Sequence, residues 1–117
     1  KFKDVISIDG APRYQALVAK ESDVIDAFST DGLIKTYDLK ILKDDKEFFL
    51  PYHAVPVAKV ETLEKYPELS GITDSLKDIM TDEVMRELNY QVDVLKKDPK
   101  DVAKEFLVEQ GLISSEK

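Results

Sequence analysis

The sequence has no cysteine, which excludes disulfide bonds, thiolate catalysis and cysteine-based zinc sites without assigning a compartment. It has one histidine and no glycine-rich phosphate loop, so no set of nucleophile, base and orienting group can be assembled. No apolar run approaches the ~20 residues that span a bilayer. Internal repeats and low-complexity segments are absent, as is a basic patch with interleaved aromatics. Lys plus Arg number 17 against 24 Asp plus Glu, a formal charge of −7, and that balance repels phosphate backbones and anionic membranes. No nucleic-acid partner, no cofactor, no metal site and no catalytic activity are expected.

What is present is a chain of 117 residues, 43% apolar and 35% charged, the composition of a soluble globular protein with one hydrophobic core. It begins with Lys1-Phe2-Lys3 rather than an initiator Met, and a processed or truncated product is expected. Lys3 to Ile8 alternates weakly and predicts a short strand, closed by an Asp9-Gly10 turn. Pro12 opens a helix whose apolar positions are Tyr14, Ala16, Leu17 and Val18, ended by Lys20-Glu21-Ser22. Asp23 to Phe28 predicts a buried strand. Helix, loop and strand in that order are half of an α/β layered unit.

The turn residues Ser29-Thr30-Asp31-Gly32 precede a short helix over Leu33 to Tyr37, capped by Thr30 or Asp31. Leu39 to Leu42 is a further strand candidate, Lys43 to Lys46 a polar turn, Phe48 to Tyr52 an aromatic loop, and His53 to Ala58 an extended segment with Pro56 marking an edge or bulge. After Val60 the pattern is helical: Glu61 to Tyr66, a helix opened by Pro67 carrying Leu69, Ile72 and Leu76, and Asp82 to Asn89 capped by Thr81. Asp98-Pro99 starts the last helix, with Val102, Ala103, Phe106 and Leu107 on one face and Gly111 as its stop. The charged residues along this region predict a solvated helical face.

Three ordered segments resemble one family. They are Ala27-Phe28-Ser29-Thr30-Asp31-Gly32-Leu33-Ile34, then Leu42 through Asp44-Asp45-Lys46-Glu47-Phe48-Phe49-Leu50-Pro51-Tyr52-His53-Ala54-Val55-Pro56-Val57, and finally Leu63 to Leu69 with Thr81 to Asp93. Together they look like the osmoprotectant (glycine betaine, choline, carnitine) solute-binding proteins of ABC importers. The resemblance implies an α/β, type II periplasmic-binding-protein-like fold of which this is a partial chain with part of both lobes. Residues 1–50 would be the second part of lobe 2, and residues 51–117 the C-terminal part of lobe 1, helical after residue 60. A family member is more than twice this long, so strand edges are expected to be exposed, with domain swapping or a homodimer of the fragment as the consequence.

The implied function is capture of a small quaternary-amine ligand between the lobes and delivery to an ABC permease in the membrane. The implied location is extracytoplasmic: periplasmic, a cell-surface lipoprotein, or fused to the permease. A trimethylammonium group has charge but no N–H donor, so aromatic faces select it where hydrogen bonds cannot. By resemblance, Phe28 and Tyr52 occupy cage positions, Phe28 standing where the family more often has Tyr. Ser29 and Thr30 follow at a strand's C-terminal edge, where open α/β sheets place ligands. Thr30 has two readings, a hydrogen bond to ligand or a cap for the next helix, and Asp31 is read as orienting the loop. His53 is a ligand candidate by its position beside Tyr52; its alternative is a structural or exposed histidine.

Other candidates have plainer explanations. Asp44 and Asp45 are adjacent in a charged turn and point apart rather than sharing a proton or a metal. Phe48 and Phe49 are expected to anchor their loop in the core, and Tyr14, Tyr37, Tyr66 and Tyr90 to serve packing. The competing function is a regulatory or interaction module on the same fold, using the helices after Val60; a third reading is a fragment without activity of its own.

Overall fold

The computed structural model describes residues 2–50 and 52–115. Lys1 at the start of the chain and Pro51 in the aromatic motif lie outside the described residues. Six helices form among them: α1 (Pro12–Val18), α2 (Gly32–Thr36), α3 (Val60–Lys65), α4 (Glu68–Asp74), α5 (Asp82–Asp93) and α6 (Pro99–Glu109).

Local chemistry explains their ends. Pro12 and Pro99 each stand in a first turn, where the missing N–H costs nothing and φ is already helical. Thr81 Oγ1 accepts the Val84 N–H at 3.2 Å, and Asp98 Oδ1 accepts those of Lys100 and Asp101 at 2.8 and 3.4 Å, satisfying donors that a helix start leaves open. At the far end of α6, Gly111 takes φ +70°, its N–H donates to Val108 O at 2.9 Å, and the Leu112 N–H donates to Leu107 O at 2.9 Å. That pair of bonds is the left-handed closure for which glycine is suited. α1 closes in the same way through Lys20, at φ 61°, with the Glu21 N–H on Ala16 O at 2.9 Å. α5 runs to Asp93 rather than stopping at Asn89.

The strand expectations are the correction. Lys3–Ile8, Asp23–Phe28, Leu39–Leu42 and His53–Ala58 are not helical, and none is paired into a sheet among the described residues. Val5 is 88% exposed and Val57 is 90% exposed, although their alternation marks them for an apolar surface. Alternation reports which side chains suit burial; pairing needs a second strand, distant in sequence, to take up the N–H and C=O groups. Among the described residues the elements formed are helices alone, and the expected α/β layering is not seen.

The core is correspondingly thin. Tyr14 and Ala16 of α1, Ile34 of α2, and Val102 and Phe106 of α6 are its buried apolar residues. α2 packs on α5, and α5 on α6. The radius of gyration is 18.2 Å, against about 13 Å for a compact domain of this length. Phe48 and Phe49 do not anchor the aromatic loop in the core: they are 81% and 72% exposed and meet each other edge to face, with centroids 5.2 Å apart. With no core beneath it, that loop is organised by Asp44, whose Oδ2 accepts the Phe49 N–H at 2.8 Å. Among the described residues, no helix is long and apolar enough to cross a membrane.

Candidate ligand-binding site

The turn Phe28-Ser29-Thr30-Asp31 lies between α1 and α5 and is held from both sides. Its own closure is the Asp31 N–H on Phe28 O at 3.0 Å, with the Phe28 N–H reaching back to Asp31 Oδ2 at 3.4 Å. From α1, the Tyr14 hydroxyl donates to the same Asp31 oxygen at 2.5 Å, and Arg13 Nη2 stands 3.6 Å from it. From α5, Arg86 Nε donates to Ser29 O at 2.7 Å, and Asn89 Nδ2 donates to Thr30 O at 2.9 Å. The Ser29 hydroxyl donates to Asp82 Oδ2 at 2.6 Å.

This clamp decides between the readings of Asp31. It occupies the N-cap position of α2, yet its side chain makes no capping bond; the carboxylate is turned towards Tyr14 and the Phe28 amide instead. Tyr14 is only 2% exposed. Burial, then the hydrogen bond and charge of Asp31, push its hydroxyl from 10.0 up to about 12, with Arg13 pulling partly the other way. Tyr14 therefore stays a neutral donor throughout the physiological range.

The sequence-predicted site residues are distributed as follows. The Phe28 and Tyr52 rings come together, with centroids 6.0 Å apart and planes inclined at 32°, and both are open to solvent at 59% and 88% exposure. Ser29 and Thr30 are half-buried on the clamp, the first with its hydroxyl on Asp82 and the second with its carbonyl on Asn89. His53 is exposed and adjoins Tyr52 by sequence alone. Asp44 and Asp45 do not act as a pair: Asp44 is held below its ordinary value by the main-chain N–H groups of Phe49, Phe48 and Lys46, which is loop chemistry. Among the described residues, no group of three or more His, Cys, Asp or Glu side chains is placed to hold a metal ion.

Sequence reasoning missed the members of the clamp on α5. Asp82, Arg86 and Asn89 belong to what looked like a solvated face. Their spacing of four and then three residues puts them on one stripe of the helix, and that polar stripe was the available signal. Gly32 completes the contact: a β-carbon there would lie 2.7 Å from both the N and the Cα of Tyr90, so only glycine lets α2 seat on α5.

Comparison with known proteins shows the family. A family model described as the substrate binding domain of ABC-type glycine betaine transport system matches residues 3–109. The chain belongs to this family, as the ordered motifs imply. It is 46% identical over 111 residues to the ergothioneine transport permease/ergothioneine binding protein EgtU of Helicobacter pylori (strain G27), covering 95% of this chain and 20% of that protein. It is 45% identical over 107 residues to the carnitine transport binding protein OpuCC of Listeria monocytogenes, covering 92% of this chain and 35% of that one. It is 34% identical over 110 residues to a glycine-betaine-binding protein of Pseudomonas aeruginosa, covering 94% and 35% respectively. The chain thus spans about a third or less of the length of these relatives.

Proposed function

We propose that the protein carrying this chain captures a trimethylammonium solute outside the cytoplasm and delivers it to an ABC permease. In this reading Phe28 and Tyr52 are two walls of an aromatic cage, and the remaining walls come from other parts of the full-length protein. The observation that carries it is the meeting of two exposed rings, 6.0 Å apart, from motifs well separated in sequence. A cation seated against both faces lies within the ~6 Å over which the ring quadrupole attracts it.

The names of the relatives narrow the ligand class. Carnitine, glycine betaine and ergothioneine all carry a trimethylammonium group and a carboxylate, whereas choline carries only the first. The ligand is accordingly a trimethylammonium carboxylate, with choline a weaker competitor. Thr30 and His53 are the residues of this chain available to the carboxylate end.

Residues 1–50 and 51–117 contribute to two α/β lobes of a type II periplasmic-binding-protein fold, and the packing of α5 on α2 joins the two portions behind the Phe28 turn. The unpaired extended segments are then strands whose partners come from the remainder of the protein. In an isolated piece, the same segments are the surface for swapping or dimerisation. Anchoring as a periplasmic protein, as a surface lipoprotein or by fusion to a permease fits this role equally. Calorimetric titration of the full-length protein with glycine betaine, carnitine, ergothioneine and choline tests the proposal. Saturable binding that weakens in Tyr52→Ala with the melting temperature retained is expected; binding of none of them, or binding indifferent to Tyr52, overturns it.

A further inference from the structure

We propose that Tyr14 is a positioning residue of the ligand site, fixing the main chain of Phe28 through the Asp31 carboxylate. The inference rests on the reading of Phe28 as a cage wall. Three observations lead to it. Tyr14 is almost wholly buried on α1, at 2% exposure, and its ring stacks on that of Tyr37 with centroids 6.5 Å apart, so the position of its hydroxyl is set by packing. That hydroxyl donates to Asp31 Oδ2 at 2.5 Å. The same oxygen accepts the Phe28 N–H at 3.4 Å, a long bond that depends on the carboxylate being held in place.

The direction of influence runs from α1 to the ring. Arg86 and Asn89 grip the carbonyls of Ser29 and Thr30, so α5 fixes the middle of the turn and leaves its first residue to Asp31. Without the tyrosine hydroxyl, the carboxylate is free to swing towards Arg13, 3.6 Å away, whose Nε is buried with no hydrogen-bond partner among the described residues. The Phe28 amide would then lose its acceptor, and the ring its fixed starting point. Cage geometry is sensitive to such loosening, because productive side chains must be held to within about 0.5 Å.

The test compares the full-length wild type with Tyr14→Phe, Asp31→Asn, the double variant and Phe28→Ala. Dissociation constants for glycine betaine, carnitine and ergothioneine are measured at a temperature where melting curves show every variant folded. Tyr14→Phe is expected to weaken binding about 5- to 10-fold, less than the full contribution of one hydrogen bond to a charged group, because that bond acts on the ring only through the turn. The double variant is expected to be no weaker than Asp31→Asn alone, because both changes cut one linkage, and the Phe28 amide resonance is expected to shift in each. A lowered melting temperature with unchanged affinity in Tyr14→Phe, or effects that multiply in the double variant, overturns the proposal. If Tyr14→Phe fails to fold, Asp31→Asn decides: weakened binding with a shifted Phe28 resonance supports the linkage, and unchanged binding overturns it. Weakening in Phe28→Ala without weakening in Tyr14→Phe defeats the positioning role alone. Unchanged binding in Phe28→Ala, or no binding of any of the three compounds by the wild type, defeats the cage reading and this inference together.

Discussion

Gly32 and Tyr90 approach so closely that a single methyl group at position 32 would lie 2.7 Å from the tyrosine's backbone N and Cα. The constraint is proximity rather than an unusual glycine conformation. α2 has five residues, Gly32–Thr36, too few to be stable in isolation, and it persists because it is seated on α5. Lys35 reinforces the seat, pairing with Glu87 and standing 4.5 Å from the centroid of the Tyr90 ring.

Gly32→Ala is therefore expected to destabilise the protein by roughly 1–3 kcal/mol, the range for overpacking a close contact. The denaturant midpoint of the full-length protein measures it. Because α2 continues directly from the Phe28 turn, ligand affinity should fall as well. Wild-type stability in this variant would mean that α2 does not rest on α5 as described.

Tyr14 gives a dependence on pH with a definite sign. Its hydroxyl is pushed from 10.0 to about 12, chiefly by burial and then by Asp31, so the fold favours the neutral, protonated form. Below the unfolded value both states hold the proton, and the full contribution is present. Between the two values the unfolded chain releases its proton while the folded chain keeps it, so stability falls as pH rises through that window. The stability of the wild type relative to Tyr14→Phe should accordingly shrink between pH 10 and about 12. A difference constant across that window would place the hydroxyl in water.

The contrast between Tyr14 and Phe28 also explains what was legible in the sequence. Helix starts at Pro12, Thr81 and Asp98 and the stop at Gly111 are written in adjacent residues, and they lie where the sequence predicts them. Phe28 and Tyr52 are singled out by the motifs around them, and their ring centroids lie 6.0 Å apart. The clamp was not legible: Tyr14, Arg86 and Asn89 reach the turn across gaps in sequence that no local pattern spans. The extended segments show the same limit from the other side. Val5, Ile41 and Val57 have the composition of strands, yet their side chains remain open, because a sheet is a relation between distant segments and not a property of one.

Asp44 organises the aromatic loop through main-chain donors. Its carboxyl is held below the ordinary value of 3.8 first by the Phe49 N–H, then by those of Phe48 and Lys46. A depressed carboxylate contributes to order above its unfolded value and loses that contribution as pH falls through its folded one. The protection of the Phe49 amide against hydrogen exchange, taken relative to the intrinsic rate at the same pH, should therefore fall in Asp44→Ala at neutral pH, and in the wild type only under acid conditions below the usual carboxylate range. Equal protection in Asp44→Ala and wild type would show that the carboxylate does not hold the loop. Because Asp44 is fully exposed, the change should be confined to the loop and leave the melting temperature of the protein nearly unmoved.

The sharpest test of the cage separates π-face attraction from simple apolar burial. Leucine at position 28 or 52 keeps an apolar surface and removes the quadrupole, so each substitution should weaken glycine betaine binding about 2- to 30-fold, equivalent to the ~0.5–2 kcal/mol of one cation–π contact. Phe28→Tyr should bind within about 3-fold of wild type, because the hydroxyl leaves the ring face intact. The carbon isostere of glycine betaine, with tert-butyl in place of trimethylammonium, supplies the control: it has the same shape and no positive charge. It should bind the wild type more weakly than glycine betaine does and should be nearly indifferent to the leucine substitutions. Equal losses for glycine betaine and its tert-butyl isostere would mean that the rings act as an apolar floor, and the positive charge of the solute would then have to be met elsewhere.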